Sequence, residues 1–389
     1  MKNQTNNQKA PNTLGLYIHI PFCRRKCLYC DFCSFPAPKA ETVERYTAEL
    51  CREIEERSAE CKDHTVDTVY FGGGTPSLLP IALFSDIFRV LNKNYNISED
   101  AEITVECNPL THISDGEKYF GDMRRFGVNR LSIGTQSAVD TELRLIGRGH
   151  TFADAKKTFA DARRAGFSNI SLDLMFALPT QSCESLEYSL TALLSLSPEH
   201  ISIYSLQLEE ATPLFRMRNK YTFPNDDDAA DMYEKIIAVT AENGYTHYEI
   251  SNFAKDGYRS RHNTKYWHLD EYAGFGISAH SDFGGKRYEN TSSLNDYLSG
   301  KRTVSESTPK RKERAEEYIM LGLRTKEGIS AKELQTRYGM NFYNTYGRKA
   351  EKFKMENLIA FSDDRIFLTE KGFEVSNSIL SDILDFDYQ

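Results

Sequence analysis

The sequence has no apolar run that approaches the roughly 18 residues a membrane-spanning helix needs. Its first segment, MKNQTNNQKAPN, is polar and lacks the hydrophobic stretch of a signal peptide, so neither secretion nor a membrane anchor is expected. Positive charge is not in excess either, because the net charge is −8, which argues against general binding to nucleic acid or anionic membranes. We therefore expect a cytoplasmic protein that is not an integral membrane protein and does not bind nucleic acid.

Disulfides are not expected, because the cytoplasm keeps thiols reduced. Four of the eight cysteines nevertheless fall between residues 23 and 33, in the stretch CRRKCLYCDFC. Clustered thiols in a reducing compartment indicate metal ligands. Cys23, Cys27 and Cys30, spaced CxxxCxxC, can hold three corners of a cubane iron–sulfur cluster and leave the fourth iron open to another ligand.

Structural zinc is the alternative for this stretch. Zinc takes four ligands, and Cys33 would complete that count, but the sequence lacks a second CxxC pair. The role of Cys33 is therefore left open. The remaining cysteines are scattered and are expected to be inert buried thiols: Cys51, Cys61, Cys107 and Cys183.

Short apolar, β-branched runs alternate with stretches of helical period through the first half of the chain. In the stretch 41–61, for example, Val43, Tyr46, Leu50 and Ile54 fall on one helical face. Such repeats predict parallel βαβ units, and hence an α/β fold with a partial (β/α)6-type barrel whose chemistry lies at the carboxyl ends of the strands. The runs are LGLYIHI (14–20), VDTVYF (66–71), AEITVE (101–106), NRLSIG (129–134), SNISLDLMF (168–176) and HISIYSL (200–206).

Four segments are expected along the chain: a flexible N-terminus at 1–13, the barrel core at 14–207, a barrel extension at 208–305 and a C-terminal domain at 306–389. In the last, helical stretches precede a short hairpin, IAFSDDRIFLTEKG, and a final helix, which predicts a winged-helix-like α+β module. Residues 310–389 carry 14 Lys and Arg against 14 Asp and Glu, whereas a DNA-binding module has a basic face. We expect this module to act as a lid, a support or a partner surface.

Six motifs occur in order along the predicted barrel: YIHIPFCRRKCLYC, YFGGGTPS, VECNP, RLSIGTQS, LIGRGH and LDLMFALPTQ. Together they resemble the radical S-adenosylmethionine (SAM) proteins related to the oxygen-independent coproporphyrinogen III oxidase. The resemblance runs from about Leu14 through the barrel and resumes in the segment 245–290. It implies a radical SAM barrel in which Cys23, Cys27 and Cys30 hold a [4Fe-4S] cluster and SAM binds the open iron.

The resemblance also implies a set of SAM contacts. A tyrosine before the third cysteine would lie against the adenine, glycines would let the backbone approach the methionyl group, and a strand-end glutamate would accept hydrogen bonds from the ribose. Taken singly, each position has a structural reading, such as a turn or a helix cap; in this order they indicate a SAM site. The matching positions are Tyr17, Tyr29, Gly73, Gly74, Thr75, Glu106, Gln136, Arg148 and Asp173.

The porphyrinogen-oxidising branch of the family resembles CxxxCxxCxC, with a cysteine two places after the third ligand. Here Phe32 takes that place, and Cys33 follows one residue later. Only 13 residues precede the first expected strand, whereas the oxidases carry a longer N-terminal arm over their substrate. Both departures argue against decarboxylation of coproporphyrinogen III.

A further motif lies in RHNTKYWHLDEYAGFGISAHS (261–281). Its HNxxYW pattern resembles the HemW branch, whose members are regarded as haem chaperones. The resemblance implies His262 as an axial ligand of haem iron, with Tyr266 and Trp267 against the porphyrin face. The alternative is a structural aromatic corner in which His262 bonds to a carbonyl group.

We therefore predict a haem chaperone that binds haem and a SAM-ligated [4Fe-4S] cluster and passes haem to an acceptor protein, with no assigned catalytic residue. The alternative is an oxygen-independent coproporphyrinogen III oxidase, and a zinc-stabilised interaction protein is a third, non-catalytic class. The identity of the acceptor, an electron donor protein and self-association are left open by the sequence.

Overall fold

The computed structural model describes residues 12–109, 111–112 and 114–384. Most of the N-terminus predicted to be flexible, residues 1–13, lies outside the described residues. None of the helices in the described ranges has both the length and the hydrophobicity required to cross a bilayer.

The strands are β1 (Thr13–Ile20), β2 (Phe22–Cys23), β3 (Phe35–Pro36), β4 (Thr65–Gly73), β5 (Asn96–Cys107), β6 (Arg130–Gln136), β7 (Ile170–Phe176), β8 (His200–Ser205), β9 (Thr246–Glu249), β10 (Asn252–Ala254), β11 (Tyr272–Phe275), β12 (His280–Phe283), β13 (Lys286–Asn290), β14 (Thr303–Ser307), β15 (Ile329–Ser330), β16 (Ile359–Ser362) and β17 (Arg365–Leu368). The α-helices are α1 (Ala40–Arg57), α2 (Ile81–Asn94), α3 (Gly116–Arg125), α4 (Asp140–Leu145), α5 (Phe152–Arg164), α6 (Cys183–Leu194), α7 (Pro213–Arg216), α8 (Asp226–Glu242), α9 (Arg261–His268), α10 (Leu294–Leu298), α11 (Arg311–Gly322), α12 (Ala331–Tyr338), α13 (Phe342–Met355), α14 (Glu370–Glu374) and α15 (Ser376–Leu384).

Twelve strands form one sheet, in the order β14-β13-β12-β11-β1-β4-β5-β6-β7-β8-β10-β9. The strands from β11 to β8 in this order are parallel, while β12 to β14 at one edge and β9 and β10 at the other are antiparallel. In the described part of the chain the two edge strands do not pair with each other, so the barrel is partial, as predicted. The structure adds β11 as a further parallel strand beside β1.

Most residues of the parallel strands are buried. In β1, six of eight residues are buried, which is typical of a parallel sheet covered on both faces. The helices supply the cover through one apolar face each. In α1 the predicted face is confirmed, because Val43, Tyr46, Leu50 and Ile54 are all buried in the main hydrophobic core.

The C-terminal domain is the predicted winged-helix-like module. Strands β15, β17 and β16 form a separate three-stranded antiparallel sheet among helices α11 to α15. Helix α11 fastens this domain to the central sheet: Arg314 pairs with Asp282 on β12, and the Nη1 atom of Arg287 on β13 lies 2.6 Å from Oε1 of Glu317. These ion pairs favour a supporting role for the module; its role as a lid or partner surface stays a prediction.

Candidate functional site

A cleft of about 540 Å³ opens at the carboxyl ends of the parallel strands. Gly73 ends β4, Gln136 ends β6 and Ser205 ends β8, and all three line this first cleft. The loop that follows β1 closes one side of it with cysteines. In parallel α/β folds this edge is where ligands bind, because the connecting loops there are free to vary.

The three predicted cluster ligands, Cys23, Cys27 and Cys30, all line the first cleft and are partly buried. Two of their sulfurs accept hydrogen bonds from the cleft wall, since Thr75 Oγ1 lies 3.5 Å from Cys23 Sγ and Arg148 Nη1 lies 3.5 Å from Cys27 Sγ. Burial raises the pKa of the Cys30 thiol to about 11. This thiol therefore keeps its proton at neutral pH unless a cation binds it.

The spacing of these thiols bears on which metal they suit. Among the described residues, no group of three or more His, Cys, Asp or Glu side chains converges closely enough to hold one metal ion. A [4Fe-4S] cluster binds each thiolate through a different iron, so its ligands need not share one point. Cys33, whose role the sequence left open, lies apart from the other three and lines a neighbouring cleft.

The glycine motif brings the backbone close to the cysteine loop. Gly73 has a φ of +112°, and a Cβ atom there would lie 2.5 Å from the imidazole of His19. A Cβ atom on Gly74 would lie 2.8 Å from the carbonyl oxygen of Phe22. Because the second contact is with backbone, no side-chain rotation relieves it. Gly74 is therefore required for the packing of β4 against the segment that leads into the cysteines.

Substituting Gly74 tests this packing. We expect Gly74→Ala to lower the free energy of unfolding by about 1–3 kcal/mol, because overpacking against backbone forces a shift of the loop. The matched control is Gly121→Ala in α3, where a Cβ atom meets nothing within 4 Å and alanine should raise the free energy of unfolding by about 1 kcal/mol. Urea unfolding measures the free energy of unfolding of both variants. Equal values for the two would contradict the close approach of Gly74 to the Phe22 carbonyl oxygen.

Glu106 and Asp173 form an acidic pair on the cleft floor. Glu106 accepts hydrogen bonds from the Tyr70 hydroxyl (2.9 Å) and the Gly73 amide (3.2 Å), and burial raises its pKa to about 7. Asp173 accepts a hydrogen bond from Ser132 Oγ at 2.9 Å, and burial raises its pKa as well. Asp173 lies in the middle of β7. Both carboxyl groups can accept hydrogen bonds from a ligand's hydroxyl or amino groups.

Strand β6 turns alternate residues toward the cleft, as the period of two in a strand requires. Arg130, Ser132, Gly134 and Gln136 all line it. Gln136 has a φ of 68°, a left-handed conformation at the strand end. Arg148 donates from Nη2 to the carbonyl oxygen of Gly134, which ties the loop after α4 to this strand.

The two tyrosines of the predicted SAM set lie in different places. Tyr29 lines the first cleft beside the cysteines and packs on the small apolar cluster that includes Leu178. Tyr17 does not line the first cleft but a second one of about 350 Å³. The two clefts share Phe32, Gly73 and Glu106. The structure therefore brings together every predicted SAM residue except Tyr17.

The second cleft lies beside the first and is mostly aromatic. Among the residues that line it are Tyr17, His19, Cys33, Tyr266, Tyr272 and His280. Tyr266 belongs to the HNxxYW motif, whereas Tyr272 and His280 come from β11 and β12.

The predicted haem ligand, His262, is not available to iron in this structure. Its side chain is buried, at 1% exposure, with Nδ1 2.8 Å from Thr68 Oγ1 and Nε2 2.8 Å from the Tyr266 hydroxyl. The carboxylate of Glu102 accepts hydrogen bonds from the backbone amides of Arg261 and His262, which fixes the start of α9. Because both ring nitrogens are hydrogen-bonded, neither is free to bind iron in this arrangement, and the expected axial ligation by His262 is corrected accordingly. His262 instead positions the Tyr266 hydroxyl.

The rest of the HNxxYW motif is divided between the two clefts. Asn263 lines the first cleft and Tyr266 the second. Trp267 lines neither; it is partly buried, and among the described residues its Nε1 atom has no hydrogen-bond partner. The structure thus separates Trp267 from the tyrosine with which it was predicted to cover a porphyrin face.

Arg130 is the main site residue that the sequence analysis missed. It is 1% exposed, lines the first cleft, and makes no ion pair with any described residue. Its Nε atom is buried without a hydrogen-bond partner among the residues described. The motif RLSIGTQS is sufficient to predict its position, because Arg130 is six residues before Gln136 and therefore faces the same side of the strand. A buried unpaired guanidinium suits an anionic ligand group.

Two family models match this chain: one for the radical SAM superfamily over residues 17–193, and one for the HemN C-terminal domain over residues 310–375. The curated heme chaperone HemW of Lactococcus lactis is 34% identical over 381 residues, covering 97% of this chain and 98% of that protein. The heme chaperone HemW of Bacillus subtilis is 35% identical, covering 95% and 98%. The mitochondrial radical S-adenosyl methionine domain-containing protein 1 of Danio rerio is 33% identical, covering 95% and 86%.

Among solved structures, coproporphyrinogen III oxidase (HemN) from Escherichia coli aligns with a TM-score of 0.83 over 96% of this chain and 90% of that chain, at 22% sequence identity. An identity this low shows the shared fold alone. The identity to the curated HemW proteins is higher and extends over nearly the whole of both chains. The chain therefore belongs to the HemW family of radical SAM proteins.

Proposed function

We propose that this protein is a haem chaperone, which binds haem and passes it to an acceptor protein. The observation that carries the proposal is the similarity to curated heme chaperones over nearly the full length, 34% identity over 381 residues for the Lactococcus lactis protein. The HNxxYW motif and the aromatic second cleft support it, because aromatic side chains provide the apolar surface on which a porphyrin packs. The acceptor, an electron donor, self-association and a cytoplasmic location remain predictions.

We further propose that the first cleft holds a [4Fe-4S] cluster at Cys23, Cys27 and Cys30, with SAM beside it. The chemistry of the donor set fits: three thiols line one cleft, and two of them, Cys23 and Cys27, accept hydrogen bonds from Thr75 and Arg148. A ligand in this cleft can also contact the backbone of Gly73 and Gly74 and the carboxyl groups of Glu106 and Asp173. The guanidinium of Arg130, whose Nε atom has no hydrogen-bond partner among the described residues, lines the same cleft. When bound, cluster and SAM supply one-electron chemistry, while the protein binds, orients and excludes water.

The SAM contacts proposed in this cleft are those of the resemblance that the structure brings together, with Arg130 added. They are Tyr29, Gly73, Gly74, Thr75, Glu106, Arg130, Gln136, Arg148 and Asp173. Tyr17 lines the second cleft only, so in this proposal it is separated from the cofactor by the wall that the two clefts share.

Arg130 gives a direct test of this assignment. The positive charge of Arg130 acts on Glu106 and Asp173 without a direct ion pair and favours their ionised forms. Replacing Arg130 with glutamine removes this charge from the cleft. We expect the Kd for SAM to rise at least tenfold, because a hydrogen bond to a charged group contributes about 1.5–3 kcal/mol. Isothermal titration of the anaerobically reconstituted protein measures this. Arg125→Gln on the surface of α3 is the control. If the Kd for SAM changes by the same small factor in both variants, Arg130 does not contribute to SAM binding.

The runner-up function, oxidative decarboxylation of coproporphyrinogen III, predicts a different product. We expect no protoporphyrinogen when the reconstituted protein is incubated anaerobically with coproporphyrinogen III, SAM and a reductant, because Phe32 occupies the place of the extra cysteine in the oxidase pattern. Chromatography of the oxidised porphyrins measures the product, and HemN from Escherichia coli is the positive control. Turnover at a rate comparable to that control would establish the oxidase and overturn the chaperone.

A further inference from the structure

The second cleft has the chemistry of a haem site, and apart from the shared wall none of its residues lines the first cleft. Its volume of about 350 Å³ lies within the range of small-molecule sites. Tyr17, Tyr266 and Tyr272 line it, and Phe32 stands at its mouth with 65% of its surface exposed. A large apolar side chain so exposed beside an aromatic cleft indicates a surface that a flat apolar ligand covers.

Two histidines line this cleft, and they differ in availability. His19 is buried, with Nδ1 3.0 Å from the Tyr17 hydroxyl and Nε2 3.0 Å from the Cys33 carbonyl oxygen, and burial lowers its pKa to about 4. His280 is exposed, and its imidazole makes no hydrogen bond or ion pair with any residue in the described part of the chain. Only His280 therefore offers a free imidazole nitrogen to a ligand in this cleft.

The backbone that carries His280 is held on both sides. Residue 280 begins β12 and pairs with Glu289 on β13. On the other side, its carbonyl oxygen lies so close to Gly274 on β11 that a Cβ atom there would be 2.1 Å away. A ligand placed on a fixed strand is oriented before binding, which suits a metal ligand.

We propose that haem binds in the second cleft, with the His280 imidazole as axial ligand of the iron and the porphyrin packed against Phe32, Tyr266 and Tyr272. This inference rests on the proposed function and replaces His262 as the ligand, leaving His262 to position the Tyr266 hydroxyl. Because His280 and Phe32 are exposed, one edge of the haem faces solvent, as transfer to an acceptor requires. The wall shared with the first cleft, Gly73 and Glu106, places haem next to the proposed SAM site.

The test is an anaerobic titration of the full-length reconstituted protein with haem, followed by the Soret band, in wild type, His280→Ala, His268→Ala and Cys33→Ala. His268 is the matched control, since it is also exposed and lines neither cleft. Cys33→Ala asks whether the thiol of the same cleft is the ligand. We expect His280→Ala to weaken haem binding at least tenfold and to shift the Soret band, with added imidazole restoring the wild-type band. The other two variants should bind as wild type does.

Each outcome separates the two proposals. Wild-type protein that binds no haem overturns the proposed function and this inference with it. Wild-type protein that binds haem while His280→Ala keeps the same affinity and band overturns this inference alone. Loss of the band in Cys33→Ala but not in His280→Ala also overturns it, because thiolate ligation would then hold the iron. Circular dichroism of His280→Ala guards against misfolding, and rescue by imidazole shows that the pocket is intact.

Discussion

Replacing Cys27 with alanine is expected to abolish the iron–sulfur cluster. Wild-type protein reconstituted anaerobically should hold about four iron and four sulfide ions per chain. Residues that merely support a metal ligand alter metal affinity about 10–100-fold, so removing a ligand should leave almost no iron. Iron and sulfide analysis after gel filtration measures this. Because the Cys27 sulfur also accepts the hydrogen bond from Arg148, the variant loses both contacts at once.

Cys33→Ala is the matched control for this experiment, since Cys33 lies six residues away in the same loop but lines the second cleft. We expect it to keep the full cluster. Loss of iron in Cys33→Ala would place all four thiols in one metal site. Zinc without iron or sulfide in the wild-type protein would go further and establish the zinc-stabilised interaction protein in place of the cluster protein.

Replacing Glu53 with alanine is expected to give the largest loss of stability. Glu53 in α1 is 0% exposed and accepts hydrogen bonds from the Tyr297 hydroxyl (2.6 Å), the Gly276 amide (2.8 Å) and Asn290 Nδ2 (2.6 Å). Its removal leaves the Tyr297 hydroxyl and the Gly276 amide without an acceptor and leaves Asn290 Nδ2 with only the Gly276 carbonyl oxygen. This loss should lower the free energy of unfolding by about 3–5 kcal/mol. Urea unfolding measures the change.

The control for Glu53 is Glu55→Ala on the same helix. Glu55 is half-exposed and pairs with Lys93 at 2.9 Å, so its loss should change the free energy of unfolding by less than about 1 kcal/mol. If the two substitutions lowered the free energy of unfolding by similar amounts, the buried hydrogen bonds of Glu53 would not stabilise the protein as expected. Since Gly276 and Asn290 flank the segment that carries His280, Glu53→Ala should also weaken haem binding if the second cleft is the haem site.

Much of the barrel was predictable because its strands are local apolar runs. The predicted run 14–20 corresponds to β1 and the predicted run 168–176 to β7, within two residues at each end. The residues of the first cleft were predictable as a group because Gly73, Glu106 and Gln136 all fall at the same edge of a parallel sheet. Strand β11 was missed because its four residues, YAGF, carry too little pattern, and its pairing with β1 spans most of the chain.

The haem ligand could not be predicted from the motif alone. Whether His262 is free depends on Thr68, which is 194 positions away in the sequence and accounts for one of its two hydrogen bonds. His280 carries no motif of its own, and its availability follows only from the packing of β11, β12 and the cysteine loop around one cleft. Arg130, by contrast, was within reach of sequence reasoning, because strand periodicity places it on the same side as Gln136.

The most direct test of the chaperone assignment is the stoichiometry of haem bound by the wild-type protein, with its cluster reconstituted, titrated anaerobically and followed by the Soret band. We expect binding to saturate near one haem per chain, since the second cleft is aromatic and carries a free imidazole beside the cluster loop. A titration without saturation, in which haem remains free or associates non-stoichiometrically, would contradict the assignment.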